Sequence, residues 1–382
     1  MENNNVKRVL HVVSDMHRGG AETMIMNLYR NIDRSKLQFD FICHYIKGDV
    51  DGINKRADYY DEIEKLGGRI FKVPSLGTSN PIEYTLNIKK VINKNGPFKA
   101  IHVHTNKQSG FVLLGARLAN IKERITHSHI TEWSYGNKVY TSILKNLIKF
   151  NCTKYCACGI EAGVNAFGRK NFDRGNIYVL NNAIEVDKFI DINTEDIDNL
   201  RRDLNIPKEN IIIGNIGRLD EQKNHDFIID LAYKMKENRN KFTILLIGDG
   251  YRKKYIQSRI KELNLSESVR LLGVRKDINI LMNLFDVFIL PSLYEGLPLV
   301  SIEAQAAGTR CIVSNTVTNE IDMGLGLVKQ LPIHNESLDK WESEIFDEQS
   351  IELSKEEVLE KITLKGYNVK QNVNKLYELY EI

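Results

Sequence analysis

The 382 residues exceed what one hydrophobic core usually serves, so the length predicts two domains. Hydrophobic residues make up 42% and charged residues 27%, which excludes a disordered or fibrous chain. Net charge is only +3, yet residues 1–185 carry 27 Lys and Arg against 17 Asp and Glu, and the remainder 26 against 33. A basic first half is either a solvated lysine-rich surface or a face for something anionic: a phosphorylated ligand, an acidic membrane surface or nucleic acid.

In chain order, short apolar runs alternate with segments of helical period. VKRVLHVVS reads as a first strand, its apolar run too short for a signal peptide. AETMIMNLYRNI reads as a helix, with Met24, Leu28 and Ile32 at fourfold spacing. FDFICHYI, GRIFKVP, AIHVHT, RITHSH and KYCACG are further strands, with helical patterns between several of them. Strand character stops at NNAIEVDKFIDINTEDIDNL, where Asn and Asp accumulate, and this marks a domain boundary. The rhythm then restarts with IIIGNIGRL, FTILLIGDG, VRLLG, DVFILPS and CIVSN. From about Ser354 the chain is polar and helical, with Val373, Leu376 and Leu379 on one face. Two successive β/α series predict two mainly parallel sheets covered by helices, with ligands bound beyond the carboxyl ends of the strands. No apolar stretch approaches the roughly 18 residues of a membrane span.

Cys152, Cys156 and Cys158 cluster, but no CxxC pair or nearby histidine completes a zinc set, so thiols buried in a reducing cytoplasm are expected. Four stretches carry chemistry. In IIIGNIGRLDEQKNH, Arg218 and Lys223 bracket a loop between a strand and a helix, a placement suited to a diphosphate or to solvent. In YEGLPLVSIEAQAAG, Glu295 and Glu303 stand eight apart. Gly296 is expected to supply unusual backbone angles, Pro298 to sit in the first helical turn, and Gly308 to end the helix. That helix start is an anion site by geometry. In SDMHRGGAET, Gly19 and Gly20 let backbone approach a ligand or simply form a turn; GxGxxG is lacking, so a nicotinamide site is not supported. His102 with His104, and His127 with His129, each share a strand face. Buried hydrogen-bonded rings, or a contact to phosphate or a sugar hydroxyl, explain them better than a metal. The acidic pairs Asp49–Asp51 and Asp196–Asp198 fall in polar loops and read as surface.

Together RGGAET, NNAIEVDKF, GRLDEQKNH, LIGDG, LLGVRKDI and PSLYEGLPLVSIEAQAAG resemble the retaining glycosyltransferases of family 4, in family order over nearly the whole chain. The resemblance is nearest to bacterial enzymes of capsular and exopolysaccharide assembly; WESEIF around Trp341 fits that branch. It implies an α/β, GT-B fold: two Rossmann-like doubly wound domains facing across a cleft. Residues 1–185 would form the acceptor-side domain, 186–365 the nucleotide-sugar domain, and 366–382 a helix returning to the first. Arg218 and Lys223 then match the pair gripping the donor diphosphate, Glu303 the carboxylate holding the ribose hydroxyls, and Glu295 the acid beside the donor sugar. Gly296, Leu299 and Val300 fall in the same donor-binding block. Gly19 and Gly20 match the glycine loop near the reacting centre, and His129, with His127 two residues away, the histidine near the donor sugar. Ala183 and Glu185 replace the family's more frequent Gly and Asp.

The resemblance implies hexose transfer from a nucleotide-sugar, UDP-linked, to a glycan or polyprenyl-linked acceptor, with retention and with neither metal nor other cofactor. A silent donor-binding subunit would not need Glu295, Arg218, Lys223 and Glu303 together, and a nucleotide-sugar epimerase is disfavoured by the E-x7-E block. Basic residues are scattered, so nucleic acid is not an expected partner. The protein is expected in the cytoplasm. Apolar Val139, Tyr140, Ile143, Leu144, Leu147 and Ile148 with Lys138, Lys145 and Lys149 suit either a helix packed on its own sheet or peripheral contact with the inner membrane face.

Overall fold

The structure, a computed structural model, describes residues 6–49, 54–129, 138–347 and 351–382, with residues 107 and 138–140 as backbone. It divides into two units. Unit 1 comprises Met1–Ala183 and Val369–Ile382; unit 2 comprises Ile184–Asn368.

Unit 1 holds strands β1 Lys7–Val12, β2 Leu37–Tyr45, β3 Ile70–Pro74, β4 Ala100–Val103, β5 Glu123–Ser128, β6 Lys154–Ala157 and β7 Ile177–Val179. They form a parallel sheet in the order β3-β2-β1-β4-β5-β6-β7. Unit 2 holds β8 Ile211–Ile216, β9 Phe242–Ile247, β10 Val269–Gly273, β11 Val287–Leu290, β12 Arg310–Ser314 and β13 Val328–Leu331, ordered β10-β9-β8-β11-β12-β13 and also parallel. The strands β7 and β13 escape the sequence reading because each is short and lies at a sheet edge.

Burial on both faces explains the continuous apolar runs. Every residue of FTILLI in β9 is buried, because helices cover both sides of a parallel sheet. Each sheet changes direction between two strands, at β1/β4 in unit 1 and β8/β11 in unit 2. Loops leaving such adjacent strands go to opposite faces and open a crevice between them.

The terminal helix Val369–Tyr380 belongs to unit 1. Its Val373, Leu376 and Leu379 enter the core beside Leu37 and Phe39. Tyr377 Oη accepts from the Asp33 amide at 2.7 Å, and Asn372 Nδ2 donates to Asn181 O at 2.8 Å. Of the clustered cysteines only Cys156 is buried; Cys152 and Cys158 are half-buried, and all three are free thiols. Asp196 and Asp198 lie exposed on helix Thr194–Asp203 rather than in a loop, because Asn193 caps that helix through the Glu195 amide. The Asp49–Asp51 motif falls partly outside the described residues.

Candidate active site

The switch point of unit 2 is opened by its own side chains. β8 and β11 pair at Ile213–Val287 and Gly214–Phe288. One residue further on, buried Asn215 donates its Nδ2 to Ile289 O at 2.9 Å, replacing main-chain pairing where the strands diverge. The loop after β8 then crosses the loop after β9: Leu219 N donates to Asp249 O at 3.0 Å and Arg252 N to Leu219 O at 3.0 Å. Gly248, at φ +137, makes this crossing possible, since a Cβ there would collide with Gly217 O.

The sequence-predicted residues Lys223 and Glu295 meet here. Lys223 Nζ lies 2.6 Å from Glu295 Oε1, with side-chain exposures of only 12% and 8%. Ser292 Oγ donates to the same oxygen at 2.7 Å, and Gln222 Nε2 to Glu295 Oε2 at 3.2 Å. Gln222 also accepts from Leu293 N through its own carbonyl at 2.8 Å and donates to Tyr294 O at 3.0 Å. The two loops are therefore one hydrogen-bonded body. A carboxylate offers about four lone-pair directions, so three donors leave Glu295 about one free on Oε2. Arg218 stands apart, its side chain 75% exposed and its guanidinium 3.3 Å from Asp220.

Helix Leu299–Ala306 follows the Glu295 loop. Pro298 is its N-cap rather than a residue of its first turn, and no side chain caps its first amides, though the Ser301 amide turns back to Pro298 O at 3.0 Å. Leu299 and Val300 form the first turn, both half-buried. Gly296 does not adopt a left-handed angle, and a Cβ there would meet nothing within 4 Å. What it contributes is bare space beside Glu295, at a bend made with ordinary angles. Gly308, at φ +75, ends the helix. Glu303, one turn in, is half-buried without a hydrogen-bond or ion-pair partner among the described residues, and burial pushes its carboxyl up to about 7.

Unit 1 gathers histidines instead. Gly19 is extended and caps helix Gly20–Asn31. Neither it nor Gly20 needs a left-handed angle, and a Cβ on Gly19 would strike the Glu22 carboxylate. At the β1/β4 switch, His104 and His129 lie just past the ends of β4 and β5, while His102 and His127 lie within them. His129 is half-buried at the strand end, whereas His127 is fully enclosed. His11, on β1, joins them without having been singled out in the sequence. Only its register opposite His102 would have revealed it.

A match to the glycosyl transferases group 1 family covers residues 196–322. The putative glycosyltransferase EpsF of Bacillus subtilis (strain 168) is 42% identical over all of this chain and 98% of its own. The chain belongs to the group 1 glycosyltransferases. A second family relative is the Escherichia coli UDP-Gal:alpha-D-GlcNAc-diphosphoundecaprenol alpha-1,3-galactosyltransferase, 26% identical over 94% of this chain and 96% of the other. The crystal structure of Anabaena Alr3699/HepE in complex with UDP and glucose has a TM-score of 0.73, at 18% identity, covering 98% of this chain and 99% of that one. The fold of this glycosyltransferase is thus GT-B, two parallel-sheet α/β domains. Among its described residues no helix is long and apolar enough to cross a membrane.

Proposed function

We propose that this glycosyltransferase moves a hexose from a UDP-sugar to a glycan or polyprenyl-linked acceptor during surface polysaccharide assembly, with retention at the anomeric carbon and without a divalent metal. The observation that carries the reading is the charge arrangement at the β8/β11 switch: a buried Lys223–Glu295 pair, an outlying Arg218, and a half-buried Glu303 unpaired among the described residues.

As the glycosidic bond breaks, negative charge grows on the leaving diphosphate. Lys223 keeps N–H donors beyond the one given to Glu295, Arg218 can swing its fork to phosphate oxygens, and the uncapped amides of helix Leu299–Ala306 add a fixed positive pole. These groups do the work a metal would otherwise do. Glu295 is saturated but for about one lone pair, so it orients a sugar hydroxyl and does not attack as a glycosidase nucleophile. The acceptor hydroxyl attacks on the leaving-group side and its proton passes to a donor phosphate oxygen. Glu303 accepts from the ribose hydroxyls, which supply the partners it lacks. In unit 1, Gly20 leaves open space for backbone approach, Gly19 gives its space to the Glu22 carboxylate, and His129 contacts the substrate as a neutral ring. A lipid-linked acceptor, the kind named for the Escherichia coli relative, suits peripheral membrane contact by helix Lys138–Asn151.

The test is a panel of UDP- and GDP-sugars with a polyprenyl-diphosphate-linked acceptor, with and without EDTA, reading the product's anomeric configuration by NMR. Expected is EDTA-resistant transfer from a UDP-hexose with an unchanged anomeric configuration. An inverted product or complete loss in EDTA would reject the mechanism.

A further inference from the structure

The five central histidines of unit 1 form two hydrogen-bonded files, one stacked on the other. In the first, His11 Nδ1 lies 3.0 Å from His104 Nε2, and His104 Nδ1 lies 2.8 Å from His129 Nε2. In the second, Tyr380 Oη lies 2.6 Å from His102 Nδ1, and His102 Nε2 lies 3.2 Å from His127 Nδ1. Cys156 Sγ closes that file, 4.0 Å from His127 Nε2. The rings of His127 and His129 stack at 4.2 Å and 13°, and those of His102 and His104 at 4.4 Å and 29°. Stacked rings hold their lone pairs in separate planes, so no single metal ion lies in the plane of both rings of a stacked pair. Three-residue ligand sets can be drawn from this cluster by distance, and each includes a ring already committed to its file.

The files end differently. The second is closed: Tyr380 is fully buried, its hydroxyl must donate, and its partner among the described residues is His102. The proton order follows from that end. Tyr380 donates to His102 Nδ1, His102 Nε2–H to His127, and His127 Nε2–H to the Cys156 sulfur. The first file is open at both ends: among the described residues His11 Nε2 and His129 Nδ1 are buried without a hydrogen-bond partner. His11 Nε2 is enclosed with Phe39 and Phe41 against its ring. An N–H walled in there would stay orphaned, whereas half-buried His129, just past its strand end, is where an acceptor oxygen can arrive, so the inner end is the bare nitrogen.

We infer that His11 and His104 are positioning residues that fix His129 as the Nδ1–H tautomer, making its free end a neutral hydrogen-bond donor to an acceptor oxygen of the substrate. Each ring in the file donates through Nδ1–H to the next Nε2, and the tautomer of each ring is set by what its other nitrogen does. The inference rests on the reading of His129 as a substrate contact.

The experiment uses full-length protein with ring-15N-labelled histidine, assigned with His129→Asn. In the wild type, His129 should carry its proton on Nδ1, while His102 and His127 carry theirs on Nε2. His104→Leu removes both contacts. It should leave His129 a mixture of tautomers and lower kcat roughly ten- to a hundredfold, the range seen when the group holding the far nitrogen of a ligating histidine is lost. KM for the UDP-sugar should move little. His104→Gln, whose carbonyl and amide can take up the same two partners, should restore the tautomer and most of kcat. A proton on His129 Nε2 in the wild type overturns the inference, and the one variant that reading needs is His129→Asn, for the assignment. An unchanged His129 tautomer in His104→Leu overturns it equally. If His129→Ala leaves kcat intact, the substrate-contact reading fails, and the ring spectra still decide the file.

Discussion

The two units put polar side chains at the same topological place and choose opposite chemistry. Unit 2 collects charges at its switch point and holds them in pairs, Lys223 with Glu295 and Arg218 with Asp220. Unit 1 collects imidazoles that burial keeps neutral: His11 held at about 3, His129 at about 4, and His102, His104 and His127 well below the usual value. The difference teaches what each fold position can bear. A loop tied by hydrogen bonds can present charge to a departing diphosphate, whereas a sheet face sealed by helix Val369–Tyr380 can carry polar groups only if they satisfy one another.

Acid should break the symmetry between the units most strongly. In unit 1 burial lowers six rings, the five above and His44, which is held at about 4. In unit 2 it lowers His225, also to about 4. A ring whose folded value lies below its unfolded value leaves the unfolded state with more protons, so stability is lost as pH falls below about 6.5. Each ring contributes a slope of up to about 1.4 kcal/mol per pH unit, and several act together in unit 1. Glu303 has the opposite sign: its raised value makes unit 2 less stable as pH rises from the unfolded carboxyl range through about 7. Hydrogen exchange followed peptide by peptide from pH 7.5 to 5 should show unit 1 losing protection first. Loss from unit 2 first would mean that the buried files are charged or solvated.

Within unit 2, Lys223 and Arg218 should separate by stability, not by rate. Removing either should lower turnover by about 10²- to 10³-fold, the scale for one preorganised donor to a developing anion. Lys223→Met also strands Glu295 in a buried site, which costs about 3–5 kcal/mol, and Glu295→Gln in the same chain should recover part of that. Arg218→Ala, at an exposed side chain, should leave the melting temperature nearly unchanged. Steady-state rates with thermal melts check both. Near-normal rates in the two single variants would remove the diphosphate role.

How much of this was legible follows the reach of the signal. Apolar runs and restarting rhythm gave the two sheets, because burial on both faces leaves its mark residue by residue. The apolar face of the terminal helix was readable from Val373, Leu376 and Leu379, but not which core it enters, for which only the family resemblance spoke. The loop residues Arg218, Lys223 and Glu295 and the helix residue Glu303 were readable as motifs, but not the partnership of Lys223 with Glu295, since those residues are 72 apart. Gln222 and Ser292 went unnoticed for the same reason: polar residues beside a motif look solvated until the other loop arrives. Gly296 and Pro298 were assigned the wrong backbone duties because a turn can be made by ordinary angles. His11 was hidden inside an apolar strand, and only its register with β4 shows that it starts a file.

Glu303 supplies a finer test of the charged site. With its carboxyl at about 7, the ionised form, the one proposed to accept from ribose hydroxyls, is a minor species at pH 6 and dominant at pH 8. A UDP-sugar has no titrating group in that interval, so its dissociation constant should fall about tenfold from pH 6 to pH 8, in proportion to the competent fraction. Glu303→Gln should flatten the profile and weaken binding at pH 8. Calorimetric titration across the range reads both. A pH-independent constant in the wild type would detach Glu303 from the ribose.

The smallest expected effect concerns the outer surface of unit 1, where neutral burial gives way to an exposed basic and apolar face. On helix Lys138–Asn151, Leu144 and Ile148 go into the core, so part of the amphipathic pattern is ordinary packing. Val139 and Tyr140 have side chains outside the described residues. Ile143 and Phe150 remain 58% and 71% exposed, and Leu118 on the neighbouring helix Ser109–Leu118 is 47% exposed. Arg117 donates to Phe150 O at 3.3 Å, which places a second cation beside exposed Lys149 at this end. Packing inside unit 1 leaves these apolar side chains in water, while an acidic bilayer would take both them and the charge. Partial insertion of Phe150 contributes roughly 1 kcal/mol, or about fivefold in partitioning. Phe150→Ser should therefore bind acidic phospholipid vesicles about fivefold more weakly at low salt, with soluble-acceptor turnover unchanged. If the wild type does not bind such vesicles at low salt, the exposed face has no lipid role, and the charge bias of unit 1 reduces to solvation.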